Sequence, residues 1–433
     1  MTYLKSIKNI KYFCRNNIFL SFKMTILEIN KYHFLKGGAD IVFFNTMKLL
    51  QSHGNTVIPF TIKHPKNLPS QYEEYFVDAP EIRDMKSATR KIKSIPRFIS
   101  NTDAKHKLEK LLQVVRPDIA HIHNIFNGLS MSILPVLHKH NIPVVITMHD
   151  TRFVCPSSYF MLRGKWCTNC RKALHLNCLL KRCYQDSLSI SAMSTIEMIH
   201  KDFFFNYNKY INQYIFLSKR FLSTHAQFRK HFEQKGVVLP NFYNDLSNNQ
   251  PVAKHGGYFL YYGRLTPEKG ISTLIQVMKS LPSINFKIAG NGPMRDEIES
   301  LNLSNVDYLG FVIGQDLTEL IENAKFTILP SECEDNNPMT IIESYGHGTP
   351  VLGANIGGIP EIIKNHQTGA IFEPFNQQAL SDAIIWGDKI SADEYKLLTL
   401  QAFRFAYENF DPEIHYSKLI DIFKEAIDNN DNI

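Results

Sequence analysis

Tyr262-Gly263-Arg264-Leu265-Thr266-Pro267-Glu268-Lys269-Gly270 is the stretch from which the rest of the chain can be placed. An aromatic-rich run beginning at Tyr258 reads as a buried strand, and it ends at a glycine. Two cations, a proline and a second glycine follow, and then a segment with helical spacing. Gly263 lets the backbone pass close to a ligand. Arg264 offers a planar fork of donors, and Lys269 a point charge. Lys269 stands near a helix start, where unpaired amides favour an anion. On spacing alone this reads equally as an anion grip or as an ordinary surface loop.

The units around it have the same design. Strands are expected at 258–263, 285–289, 306–309, 326–330 and 351–354, each followed by a helix. An earlier series is expected at 25–30, 57–61, 118–123, 143–148 and 213–218, with a helix from Asp40 to His53. Short apolar runs alternating with helical patterns imply parallel βαβ units. The fold class is therefore α/β, with two doubly wound domains facing a cleft at the carboxyl ends of their strands. The expected division is a basic leader at 1–23 (or residues upstream of a start at Met24), a first domain at 24–245, a polar linker at 246–256 and a second domain at 257–408. A final helix, 409–430, follows.

Three further loops give the cation-bearing loop a context. Ala289-Gly290-Asn291-Gly292-Pro293 is a tight turn after the second strand of its domain. Pro330 to Glu343 runs from a strand into a helix. Pro338 suits the first helical turn, so the amides of Asn337, Pro338's neighbours Met339 and Thr340, and the helix they open form an anion seat. Glu343 lies one turn further on, where its carboxylate can accept from two ribose hydroxyls. Asp335, eight residues earlier, is placed to reach a sugar.

With these loops in view, the second half resembles the donor domain of the retaining GT-B glycosyltransferases of family four, a large bacterial group that builds capsules, lipopolysaccharide and exopolysaccharide. The resemblance implies that Arg264 and Lys269 contact a diphosphate and that Glu343 binds ribose. It implies that Asp335, with amides near Met339 and Thr340, holds the donor sugar, and that Gly310-Phe311-Val312 passes the nucleobase. The family usually has Glu where this chain has Asp335, so Glu334 or Glu332 is a candidate to take over. Lys36-Gly37-Gly38-Ala39-Asp40 resembles the glycine pair that approaches the donor in the first domain. His149 resembles a cleft residue near the sugar. For His121 and His123 a core role is expected, with one of them alternating inward. Ser218 resembles an interface serine, with no role given by the pattern.

The resemblance implies a retaining transfer from a nucleotide-diphosphate sugar, with UDP or GDP as the nucleotide, to a glycan or lipid-linked acceptor. The alternatives are a sugar-nucleotide epimerase and a non-catalytic nucleotide-sugar-binding subunit. No Asp-x-Asp occurs, so Arg264, Lys269 and a helix terminus carry the leaving-group charge, and no cofactor is expected for catalysis. Nucleic acid is not an expected partner.

Cys167, Cys170, Cys178 and Cys183 form a third feature, within an insert at 155–183. Four cysteines in two close pairs suit a tetrahedral structural zinc, and free thiols in a packed insert remain the other reading. Similar inserts occur in a subset of the family. Four thiolates leave no open position for a catalytic metal.

Composition bounds the remaining readings. The 433 residues are 44% hydrophobic and 21% charged, with a net charge of +7. That balance describes an ordinary globular chain with a mild preference for anionic partners. Lys86, Arg90, Lys91, Lys93, Arg97, Lys105 and Lys107 cluster, as a solvated face or as a patch for anionic lipid. No apolar run reaches the roughly 18 residues that span a bilayer, and Arg15, Asn16 and Asn17 interrupt any signal-like core. A cytoplasmic location is expected, at the inner face of the plasma membrane.

Overall fold

The computed structural model describes residues 23–78, 99–163, 165–171, 175–184, 186–244, 246 and 256–431. Five of the basic cluster's residues (Lys86, Arg90, Lys91, Lys93 and Arg97), the leader up to residue 22 and most of the expected linker lie outside these. Within them, Lys107 pairs with Asp78 at 3.2 Å.

The first sheet is formed by β1 (Thr25–Ile29), β2 (Thr56–Phe60), β3 (Ile119–Ile122), β4 (Val144–Met148), β7 (Gln213–Phe216) and β8 (Gly236–Val238). Between β4 and β7 lies a two-stranded hairpin of β5 (Met161–Leu162) and β6 (Lys165–Trp166). The second sheet contains β9 (Tyr258–Tyr262), β10 (Asn285–Ala289), β11 (Val306–Gly310), β12 (Phe326–Leu329), β13 (Val351–Ala354) and β14 (Gly369–Phe372). Both six-stranded sheets are parallel throughout. Helices cover both faces, so strands such as VVITM of β4 and YFLYY of β9 are buried at every position.

Strand order positions the site. The first sheet runs β2-β1-β3-β4-β7-β8 and the second β11-β10-β9-β12-β13-β14. The order reverses between β1 and β3 in one and between β9 and β12 in the other. A doubly wound sheet opens its ligand crevice at such a switch point. The loops after β1, β9 and β12 are the glycine pair, the cation-bearing stretch and the Ser331–Pro338 segment.

Each domain has its own apolar core, and two elements join them. Val42, on the helix Gly38–Ser52, packs into the second domain's cluster. The last helix, Pro412–Asp431, leaves the second domain and lays Leu419, Ile420, Phe423 and Ala426 against Met24, Ile26, Phe43 and Val145 of the first. The stretch just before the expected linker is anchored chain: Asn241 and Phe242 are buried, and the Tyr243 amide donates to the Phe410 carbonyl at 3.1 Å. Besides the short β5–β6 hairpin, two strands of the large sheets have no counterpart in the sequence reading, β8 and β14. One is three residues long and both begin with glycine, too little for a periodic signal.

Candidate active site

The cation-bearing loop is locked onto its neighbours by glycine. Gly270 has a φ of +73°, and a Cβ there would stand 1.8 Å from the Pro330 carbonyl oxygen. Only glycine lets the loops after β9 and β12 touch. That contact brings Lys269 to Asp335: the ammonium donates to both carboxylate oxygens, at 2.6 and 2.7 Å. Ser331 also donates to Asp335. The two groups expected to hold diphosphate and sugar are thus paired with each other. Arg264 is exposed and lies beside the hydroxyl of Tyr159, which comes from the insert of the first domain.

The alternative acids separate. Glu332 accepts from the Thr273 hydroxyl at 2.5 Å. Both Glu334 carboxylate oxygens are buried with no hydrogen-bond partner, and burial pushes that carboxyl up to about 7 against the pull of Arg220.

The Met339–Gly346 helix starts one residue later than expected, with Pro338 as its cap. Asn337 therefore precedes the helix. Its side chain accepts from the Asn241 amide at 2.8 Å, and its carbonyl accepts from the Asn241 side chain at 2.8 Å. This residue joins the second domain to the hinge, and the amides of Met339 and Thr340 are the free helix-terminal donors. Glu343 lies on the same helix. Tyr262 donates to the Thr340 carbonyl at 2.8 Å and to Glu343 at 3.3 Å. Burial lifts the Glu343 carboxyl to about 7. Gly290 and Gly292 press on the backbone of Gly263 and Leu265. Phe311 is 72% exposed and Val312 half-buried.

On the first-domain wall, Gly37 is extended (φ −168°), and a Cβ on Gly37 or Gly38 would meet no protein atom within 4 Å. Neither glycine is required by the fold itself. The Gly37 amide donates to the Asp40 carboxylate at 3.0 Å, and Asn30 holds the other oxygen at 2.9 Å. Asp40 thus caps its own helix.

His149 ends a buried chain that the sequence reading did not assemble. Glu28, fully buried near the carboxyl end of β1, faces His121 at 2.9 Å and His123 at 3.0 Å. His123 faces His149 at 2.9 Å. The expectation that one of His121 and His123 turns away is corrected, because residues two apart on a strand share a face. Burial works to raise the Glu28 carboxyl, but the two imidazoles outweigh it and hold it at about 2. Burial lowers His123 to about 4 and His149 well below its ordinary value. An ionised Glu28 only accepts. His123 Nε2 must then carry a proton, its Nδ1 accepts from His149 Nε2, and His149 Nδ1 keeps a lone pair. The signal for Glu28 was present in the sequence, as one carboxylate inside an apolar strand. Glu28, His121 and His123 are the only described residues whose metal-ligating atoms gather within 4.8 Å, and hydrogen bonds among themselves, to Thr147 and to His149 already satisfy them.

The two walls meet directly. Asn336 donates to the carbonyl of Met148, next to His149, at 3.0 Å, and accepts from Ser218 at 3.1 Å. Glu361, from Gly357-Gly358-Ile359-Pro360-Glu361, accepts from the amides of Lys219 and Arg220 at 3.0 and 2.6 Å. These amides open the helix Lys219–Ala226.

Comparison with known proteins fits this construction. Residues 36–180 match the family Glycosyltransferase Family 4, and residues 244–391 match Glycosyl transferases group 1. An uncharacterized glycosyltransferase of Methanocaldococcus jannaschii is 35% identical over 182 residues, 39% of this chain and 45% of that protein. The chain thus spans under half the length of that curated relative. Sucrose-phosphate synthase of Thermosynechococcus elongatus has the same fold, with a TM-score of 0.68 at 17% identity over 93% of this chain and 99% of that one. HepE of Anabaena, solved in complex with UDP-glucose, aligns with a TM-score of 0.61 at 15% identity over 93% and 99%. The two family models thus match the two halves of the chain, and the fold is the GT-B architecture, two parallel-sheet domains in tandem.

Proposed function

We propose that this chain transfers a sugar from a nucleotide-diphosphate sugar to a hydroxyl of a glycan or lipid-linked acceptor, with retention of configuration, in the assembly of a cell-surface polysaccharide. The observation that carries this reading is that Lys269 and Asp335 meet from the loops after β9 and β12, with Arg264 and Glu343 on the same loop and the following helix, while Asn336 bridges this wall to Met148, the neighbour of His149. Arg264 and Lys269 take the charge of the departing diphosphate. Glu343 accepts from the ribose, and exposed Phe311 covers the base. UDP is the favoured nucleotide, because HepE, which shares the fold, holds UDP-glucose.

In the resting pair, Lys269 neutralises Asp335. An arriving diphosphate competes for the ammonium and frees the carboxylate for sugar hydroxyls. The lone pair on His149 Nδ1 accepts from another hydroxyl of the same sugar. The bond from the anomeric carbon to the diphosphate breaks as the acceptor oxygen bonds to that carbon from the same face. The acceptor proton passes to the leaving oxygen, so no protein base is required. Closure of the cleft excludes water. Among the described residues no helix is long and apolar enough to cross a membrane. Exposed Phe203 and Phe204 support contact with a membrane that carries the acceptor.

Calorimetry with UDP-, GDP- and ADP-sugars tests the site. The wild type binds at least one of them, and Arg264→Ala and Lys269→Ala each weaken it by at least about tenfold, the ~1.4 kcal/mol scale of a charge-assisted contact. Unchanged affinity in both variants would remove the proposal.

A further inference from the structure

Five cysteines that the cleft does not use surround a single cavity. Cys155, Cys167, Cys170, Cys178 and Cys183 line a space of about 20 Å³, closed by Phe160, Met161 and Phe228. None is in a disulfide. Short elements deliver each thiol. Cys167 follows the β5–β6 hairpin, and its amide donates to the Phe160 carbonyl at 2.7 Å. Cys170 lies in the turn Asn169–Arg171 and Cys178 in the helix Leu176–Lys181. The Cys183 amide donates back to the Cys178 carbonyl at 3.0 Å.

Two observations show that this segment is not held by ordinary packing. Between Met161 and Glu197, Cys178 is the only buried hydrophobic residue among those described. A segment without an apolar core needs another source of order. The backbone is also strained: Ser158, Phe160, Arg163, His175, Arg182 and Asp186 all have φ between +50° and +69°. Such conformations are costly for residues other than glycine and persist only where something fixes them.

We infer that Cys167, Cys170, Cys178 and Cys183 bind one zinc ion in this cavity, and that the ion fixes the insert that carries Tyr159 to Arg264. Four thiolates satisfy a tetrahedral ion and leave no open position, so the metal is structural. The sulfurs stand wider than a bound ion holds them, since no three lie within 4.8 Å of one another. A Zn–S bond of about 2.3 Å sets them roughly 3.8 Å apart. Binding therefore draws the lining inward and releases the thiol protons to solvent. Cys155 lies at the wall next to Ser157, whose hydroxyl is 3.2 Å from its sulfur, and stays outside the ligand set.

The test is metal content and spectroscopy on the full chain, purified reduced and without chelator, and it does not depend on sugar transfer. Elemental analysis is expected to give one zinc per chain. Cobalt exchanged for zinc is expected to give intense visible bands and a near-ultraviolet thiolate band, the signature of tetrahedral sulfur ligation. Cys170→Ser and Cys183→Ser are expected to lose the metal, while Cys155→Ser and Cys333→Ser keep it. Wild type lacking both zinc and the cobalt bands, disulfides among these cysteines in mass spectrometry, or metal loss in Cys155→Ser would each overturn the assignment. If the serine variants do not fold, the wild-type cobalt spectrum decides alone.

Discussion

Lys269 and Asp335 hold each other, and in the proposed transfer each serves a different part of the donor. Asp335→Asn releases the lysine, so binding of UDP without a sugar is expected to tighten by roughly fivefold, about 1 kcal/mol for a half-buried pair. Transfer from the complete donor falls in the same variant, and calorimetry beside a turnover assay separates the two effects. Glu28 acts at a distance through protons. Glu28→Gln places an amide donor against one imidazole. If that is His123, the imidazole must reverse, and His149 then turns an N–H toward the sugar in place of a lone pair. Turnover should fall about tenfold (~1.4 kcal/mol), and imidazole ¹⁵N shifts should report the exchanged tautomer, which a purely structural role would leave in place. Glu343 adds a pH dependence. Burial pushes its carboxyl up to about 7, above the ordinary range, and the proposed ribose contact needs the charged form. Nucleotide affinity is therefore expected to rise between about pH 6 and 8, with Glu343→Gln flattening the rise. The same burial makes the fold lose stability as pH climbs from about 4.5, the unfolded value, to 7.

At the scale of elements, two glycines with similar surroundings in the sequence have opposite duties. Gly270 is required by the fold, being left-handed and against the Pro330 carbonyl. Gly270→Ala should cost at least about 2 kcal/mol in chemical denaturation. Gly37 faces open space, so Gly37→Ala should leave stability within about 0.5 kcal/mol and weaken the donor alone. The sequence cannot distinguish the two cases, because the difference lies in which backbone passes nearby. What it does reveal is the βαβ rhythm, because fully apolar strands such as β4 and β9 contrast sharply with the loops between them. Arg264, Lys269, Asp335 and Glu343 were legible as candidates only through the likeness of their loops to a known family, because spacing alone left the cation-bearing loop equally an anion grip or an ordinary surface loop. The Glu28 chain and the Asn241–Asn337 and Ser218–Asn336 contacts were not. They join residues 26 to 118 positions apart, and pairwise contacts of that kind leave no period to read. Pro338 was misplaced by one residue because a proline suits both a cap and a first turn.

For the molecule as a whole, the last helix decides how the halves are coupled. Phe423 is completely buried between the first sheet and its covering helix. Phe423→Ala is expected to cost about 3–5 kcal/mol, with hydrogen exchange rising first in the Thr25–Ser52 region and only later in the second domain. That same packing sets a schedule for biosynthesis. One face of the first sheet is closed by residues made nearly 400 positions later. At about 5–20 residues per second this face waits roughly 20–80 s before its cover leaves the ribosome. During that interval Ile26, Phe43 and Val145 present greasy surface to a crowded cell. The nascent first domain is thus a natural client for holding chaperones until the chain is finished.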